Sequence, residues 1–76
     1  MNMVDIILEL KRKGYIAEWD GGCNIAFKEE YKFNSIPKGF IFKDNKIVQV
    51  IDRTIKDREK QNKKSIKILD KWVKSL

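Results

Sequence analysis

Gly39-Phe40-Ile41-Phe42-Lys43-Asp44-Asn45-Lys46-Ile47-Val48-Gln49-Val50-Ile51 is the stretch that decides the fold. Two apolar, strand-prone runs, 39–43 and 46–51, flank Asp44-Asn45. Both turn residues tolerate the positive φ that a two-residue hairpin requires. In the register such a turn imposes, Phe42 faces Ile47 and Ile41 faces Val48. Side chains alternate across a strand, so one face carries Ile41, Val48 and Val50, and the other carries Phe40, Phe42 and Ile47. Both faces are apolar. Two helices usually cover only one face of a small sheet. The second is therefore expected to lie under the 29–38 connection, to serve as an interface, or to stay open.

Outward toward the N-terminus, 29–38 is a connection with Pro37 near its end, and its Tyr31, Phe33 and Ile36 predict that it packs on the domain. Before it, Cys23 to Lys28 and Tyr15 to Trp19 read as strands around the turn signal Asp20-Gly21-Gly22. Val4 to Lys13 reads as a short helix with an apolar stripe of Val4, Ile7 and Leu8, and Leu10 at its edge. Lys11, Arg12 and Lys13 suit the negative end of its dipole, and Gly14 suits the C′ position.

Toward the C-terminus, 52–76 reads as one long helix. The order α-β-β-β-β-α predicts a single α+β domain over 1–76: a helix at 4–13, an antiparallel sheet within 15–51 and a basic helix at 52–76, with both helices on one sheet face.

Charge is divided unevenly along this order. Residues 1–52 hold eight basic and eight acidic side chains; residues 53–76 hold nine basic and three acidic. At about 100° per residue, Arg53, Lys56, Lys60, Lys63, Lys64, Lys67, Lys71 and Lys74 share one sector roughly 100° wide. Ile51, Ile55, Ile66, Leu69, Trp72, Val73 and Leu76 lie opposite. A cationic stripe on a rigid rod suits phosphates, since each neutralised phosphate releases counterions. Contacts of this kind position a nucleic acid without reading its sequence, and the chain has only three Arg for bidentate guanine contacts. The competing reading is a plain solvated face, although such faces usually mix signs. Arg58, Gln61, Asn62 and Ser65 interrupt the apolar side, so the helix is expected to break near Gln61-Asn62 or to span a gap beyond the sheet. The a/d spacing of Asn62, Ile66, Leu69, Val73 and Leu76 leaves a homodimer seam open.

The catalytic inventory is poor. With no His and one Cys, zinc sites and Cys–His or Ser–His pairs are excluded. Glu29 and Glu30 are adjacent, so on a strand they point apart. No Gly-rich loop joins a strand to a helix in the phosphate-binding pattern. No enzyme activity, cofactor or metal is expected. Cys23 alone fits a reducing, cytoplasmic setting or a small buried hydrophobe. The opening residues lack the basic start of a secretory signal, and no apolar run approaches the roughly 20 residues of a membrane span.

Two short stretches resemble known families. Lys38-Gly39-Phe40-Ile41-Phe42 resembles the basic-Gly-aromatic-x-aromatic strand of RNA-recognition and cold-shock domains. That resemblance implies base stacking by Phe40 and Phe42. Ile41 replaces the usual small residue, and Lys43-Asp44-Asn45 departs from the pattern. Leu10-Lys11-Arg12-Lys13-Gly14-Tyr15, followed by Gly22-Cys23-Asn24-Ile25-Ala26-Phe27-Lys28, resembles the HicA-type toxins, small ribonucleases with a double-stranded-RNA-binding-like fold. Their catalytic His would fall at Asn24, so the resemblance implies a non-catalytic relative.

Two functions are therefore expected. The first is a small non-catalytic, regulatory DNA- or RNA-binding protein that grips phosphates with Arg53, Lys56, Lys60, Lys63, Lys64, Lys67, Lys71 and Lys74 and stacks bases on Phe40 or Phe42. The second is a protein-binding inhibitor or adaptor of phage or mobile-element type. It would use an apolar patch of Phe40, Phe42 and Trp19 together with the basic helix against an acidic protein surface.

Overall fold

The computed structural model describes residues 2–76 and contains α1 (Met3–Arg12), β1 (Ala17–Trp19), β2 (Ile25–Phe27), β3 (Phe40–Lys43), β4 (Lys46–Gln49) and α2 (Arg58–Ser75). The strands form one antiparallel sheet in the order β1-β2-β4-β3. The α+β order and the helix–sheet layering are those expected. β4 takes a central place, because the 28–39 connection carries the chain across to the far edge before the hairpin turns back.

Local signals set the element ends. Asn2 caps α1 by accepting the Asp5 N–H at 3.0 Å, while the Asp5 carboxylate accepts the Asn2 N–H at 3.3 Å. At the other end Gly14 has φ +97°, the Gly14 N–H donates to the Lys11 carbonyl, and the Tyr15 N–H donates to the Leu10 carbonyl. This pair of bonds is the Schellman ending. In the hairpin, Asp44 and Asn45 have φ 53° and 60°, and Phe42 pairs with Ile47 and Ile41 with Val48, as the turn chemistry predicts.

The buried stripe of α1 is Met3, Ile6, Ile7 and Leu10, whereas Val4 and Leu8 are 53% and 54% exposed. This corrects the expected stripe of Val4, Ile7 and Leu8. Positions 3, 4, 6, 7, 8 and 10 are all apolar, so periodicity alone cannot choose between neighbouring stripes.

The core lies between the helices and the sheet face that carries Ala17, Ile25, Phe27, Phe40 and Ile47. The 29–38 connection packs on this same side. Phe33 sits with its ring 5.2 Å from Phe27, 5.5 Å from Phe42 and 5.1 Å from Trp72. Trp72 Nε1 donates to the Ser35 carbonyl at 2.8 Å, and the Ile16 N–H donates to the Tyr31 hydroxyl at 2.8 Å. The connection thus completes the inner layer beside α2, and the opposite sheet face, with Ile41 and Val48, stays uncovered, whereas Val50 lies past the end of β4 and borders a hollow beside α2.

α2 begins at Arg58, six residues later than expected. Asp52 accepts from the Thr54 N–H at 2.9 Å and from its hydroxyl at 2.6 Å, which folds 52–55 into a turn. Asp57 then caps the helix by accepting the N–H groups of Glu59 and Lys60. Ile51 and Ile55 therefore lie outside the helix. α2 runs unbroken through Gln61-Asn62. Leu69 and Val73 are buried in the core, which withdraws them from a self-association seam.

Candidate nucleic-acid interface

α2 is a ridge with its apolar side held down. Leu69, Trp72 and Val73 are buried, and at the C-terminal end Lys13 Nζ donates to the Lys74 and Leu76 carbonyls, both at 3.1 Å. A cation there satisfies carbonyls that the helix leaves unpaired. With one side anchored, the other is fixed in solvent. Lys60, Lys63, Lys64, Lys67, Lys71 and Lys74 are all exposed along it, over about 21 Å at 1.5 Å per residue. Lys74 pairs with Asp70 at 3.2 Å. The other five form no ion pair within 4 Å among the described residues, although Asp52 lies near enough to Lys64 to feel its charge. Like charges this close repel, and a bound polyanion relieves that repulsion.

Arg53 and Lys56 are exposed, but they lie in the turn segment before α2. The helical sector that grouped them with the lysines does not include them, because Asp52 and Asp57 use their carboxylates to end one turn and start the next element.

Phe40 and Phe42 are corrected more strongly. Phe40 is only 7% exposed, and Phe42 packs against Phe27 and Phe33. The Phe40 ring is not presented for base stacking, and Phe42 is half-buried in the aromatic layer. Trp19 is exposed, with its Nε1 donating to the Gly22 carbonyl at 2.8 Å. It sits on β1, at the sheet edge opposite β3, so Phe40, Phe42 and Trp19 form no common patch. On the uncovered sheet face the apolar surface is Ile41, 48% exposed, beside its partner Val48.

Comparison of the chain with models of protein families, with curated proteins and with solved structures finds no match.

The polar interruption of α2 has a structural partner. Ser65 is buried and its hydroxyl accepts from Gln49 Nε2 at 2.7 Å, while Asn24 Oδ1 accepts the Gln49 N–H at 2.9 Å. Asn24, the position matched to a catalytic His in the toxin resemblance, thus braces β4. Cys23 is buried with its Sγ 3.9 Å from Asn62. Burial pushes its thiol pKa up, which disfavours the reactive thiolate. Asp52 is held below the usual aspartate range, first by the Thr54 hydroxyl and then by the Thr54 N–H, so it is ionised at neutral pH. Among the described residues, no helix is long and apolar enough to cross a membrane.

Proposed function

We propose that this protein is a small non-catalytic nucleic-acid-binding protein that engages phosphates through Lys60, Lys63, Lys64, Lys67 and Lys71. The supporting observation is that these five side chains stand on one exposed helix face with no ion pair within 4 Å among the described residues. The mode is positioning on the backbone, with affinity set by released counterions. Filter binding to a DNA duplex at two salt concentrations tests it. With about five contacts, affinity falls roughly 10²–10³-fold between 50 and 200 mM salt. Absence of binding to DNA and RNA at low salt refutes the reading.

The uncovered face with Ile41 and Val48 supports a second reading, a protein-binding inhibitor or adaptor. Its sign is one stoichiometric protein partner that survives nuclease treatment and is lost on Ile41→Lys, a change that leaves the core untouched.

A further inference from the structure

Where Gln61 and Ser65 face the hairpin, α2 does not close down on the sheet. A cleft of about 190 Å³ remains, bordered by Lys38, Val50, Ile55, Gln61, Lys64 and Ile68. This is smaller than the roughly 300–1,000 Å³ of drug-sized sites and fits a single ring system. Val50, Ile55 and Ile68 give it apolar walls. Gln61 adds an amide to its lining. That side chain is only 7% exposed and its amide has no hydrogen-bond partner among the described residues, yet neither amide atom is sealed from solvent. A buried amide is normally paired, so this one is available to a ligand. It offers a donor and an acceptor side by side, the pattern with which Asn and Gln meet base edges.

The charges are placed to match. Lys38 and Lys64 border it, and a neighbouring hollow that shares Lys38 and Ile68 reaches Lys71. Lys64 and Lys71 belong to the lysine face already described. The ionised Asp52 borders the cleft as well, so a phosphate is favoured beside the lysines and disfavoured at Asp52. From these features we infer that the cleft takes one unpaired nucleobase of a single-stranded nucleic acid. The base lies flat between Val50, Ile55 and Ile68, its edge meets Gln61, and its backbone follows Lys38, Lys64 and Lys71. A base held in a duplex cannot enter, so the protein prefers single strands. The inference rests on the phosphate-binding reading of α2 and adds the substrate class.

Two measurements test it. Titration of isotope-labelled protein with adenosine monophosphate is expected to shift the Gln61 side-chain amide and the backbone amides of Gly39, Val50 and Ser65. Gln61 also borders a second hollow toward Asn24 and Asn62. Shifts confined to that side, or to the lysine ridge, overturn the assignment. The variant Gln61→Met keeps the length and apolar stem of the side chain and removes the amide. It is expected to bind a short single-stranded oligoadenylate about tenfold more weakly, the loss of about one hydrogen bond. Its duplex affinity, salt slope and melting temperature are expected to stay unchanged. Unchanged single-strand affinity, or equal losses for single strand and duplex, overturns the base site. Failure of the phosphate reading shows separately, as no binding of duplex or single strand by the unsubstituted chain at low salt.

Discussion

The two halves of α2's inner side differ sharply. The C-terminal half presses Leu69, Trp72 and Val73 against α1 and the aromatic layer, and all three are buried. The N-terminal half turns Gln61 and Ser65 inward, where Ser65 bonds Gln49 and the Gln61 side-chain amide has no partner among the described residues. One helix thus serves two purposes. Its second half supplies cohesion, because apolar burial is the main favourable contribution to folding. Its first half gives up cohesion and leaves polar groups at a cleft, which suits recognition better than stability.

The comparison predicts unequal responses to substitution. Leu69→Ala is expected to be the most damaging change, at about 2–5 kcal/mol by denaturant unfolding, since it empties a fully buried site. A cost below about 1 kcal/mol would erase the distinction between the halves. Asp57→Ala removes the cap from the N-terminal half and should cost about 0.5–2 kcal/mol. Hydrogen exchange should then quicken in the first turn of α2 and stay slow around Leu69 and Val73; uniform acceleration would show that the helix responds as one unit. Ser65→Ala removes the acceptor for Gln49 Nε2 and should cost about 0.5–1.5 kcal/mol. A neutral result there would mean that Gln49 regains a partner from water in the cleft.

Much of the frame is legible in the residues. Asp44-Asn45 is a hairpin signal with a local cause, and its register follows from the turn alone. Gly14 ends α1 by the same local logic. The lysine face from Lys60 to Lys74 is also a one-dimensional pattern, because helical spacing depends only on position in the chain. What misleads lies where several local solutions compete. Asp52 and Asp57 each have a side chain that can replace the helical backbone bonds, and both do so. That moves Arg53 and Lys56 off the helix. Phe40 and Phe42 alternate as surface stacking rings would, but core strands alternate in the same way, and period alone does not say which face is wet.

By itself, then, the sequence determined the element order, the hairpin register, the cap at Gly14 and the single-signed face of the last helix. Each of these depends on residues close together in the chain. Tertiary structure decided which apolar stripe of α1 is inside, which sheet face the aromatic connection covers, and what becomes of Gln61 and Ser65. Those outcomes depend on contacts between distant segments: Phe33 with Trp72, Gln49 with Ser65, and Lys13 with the end of α2. Their free energies are realised only when the chain has closed on itself, and no local pattern carries them.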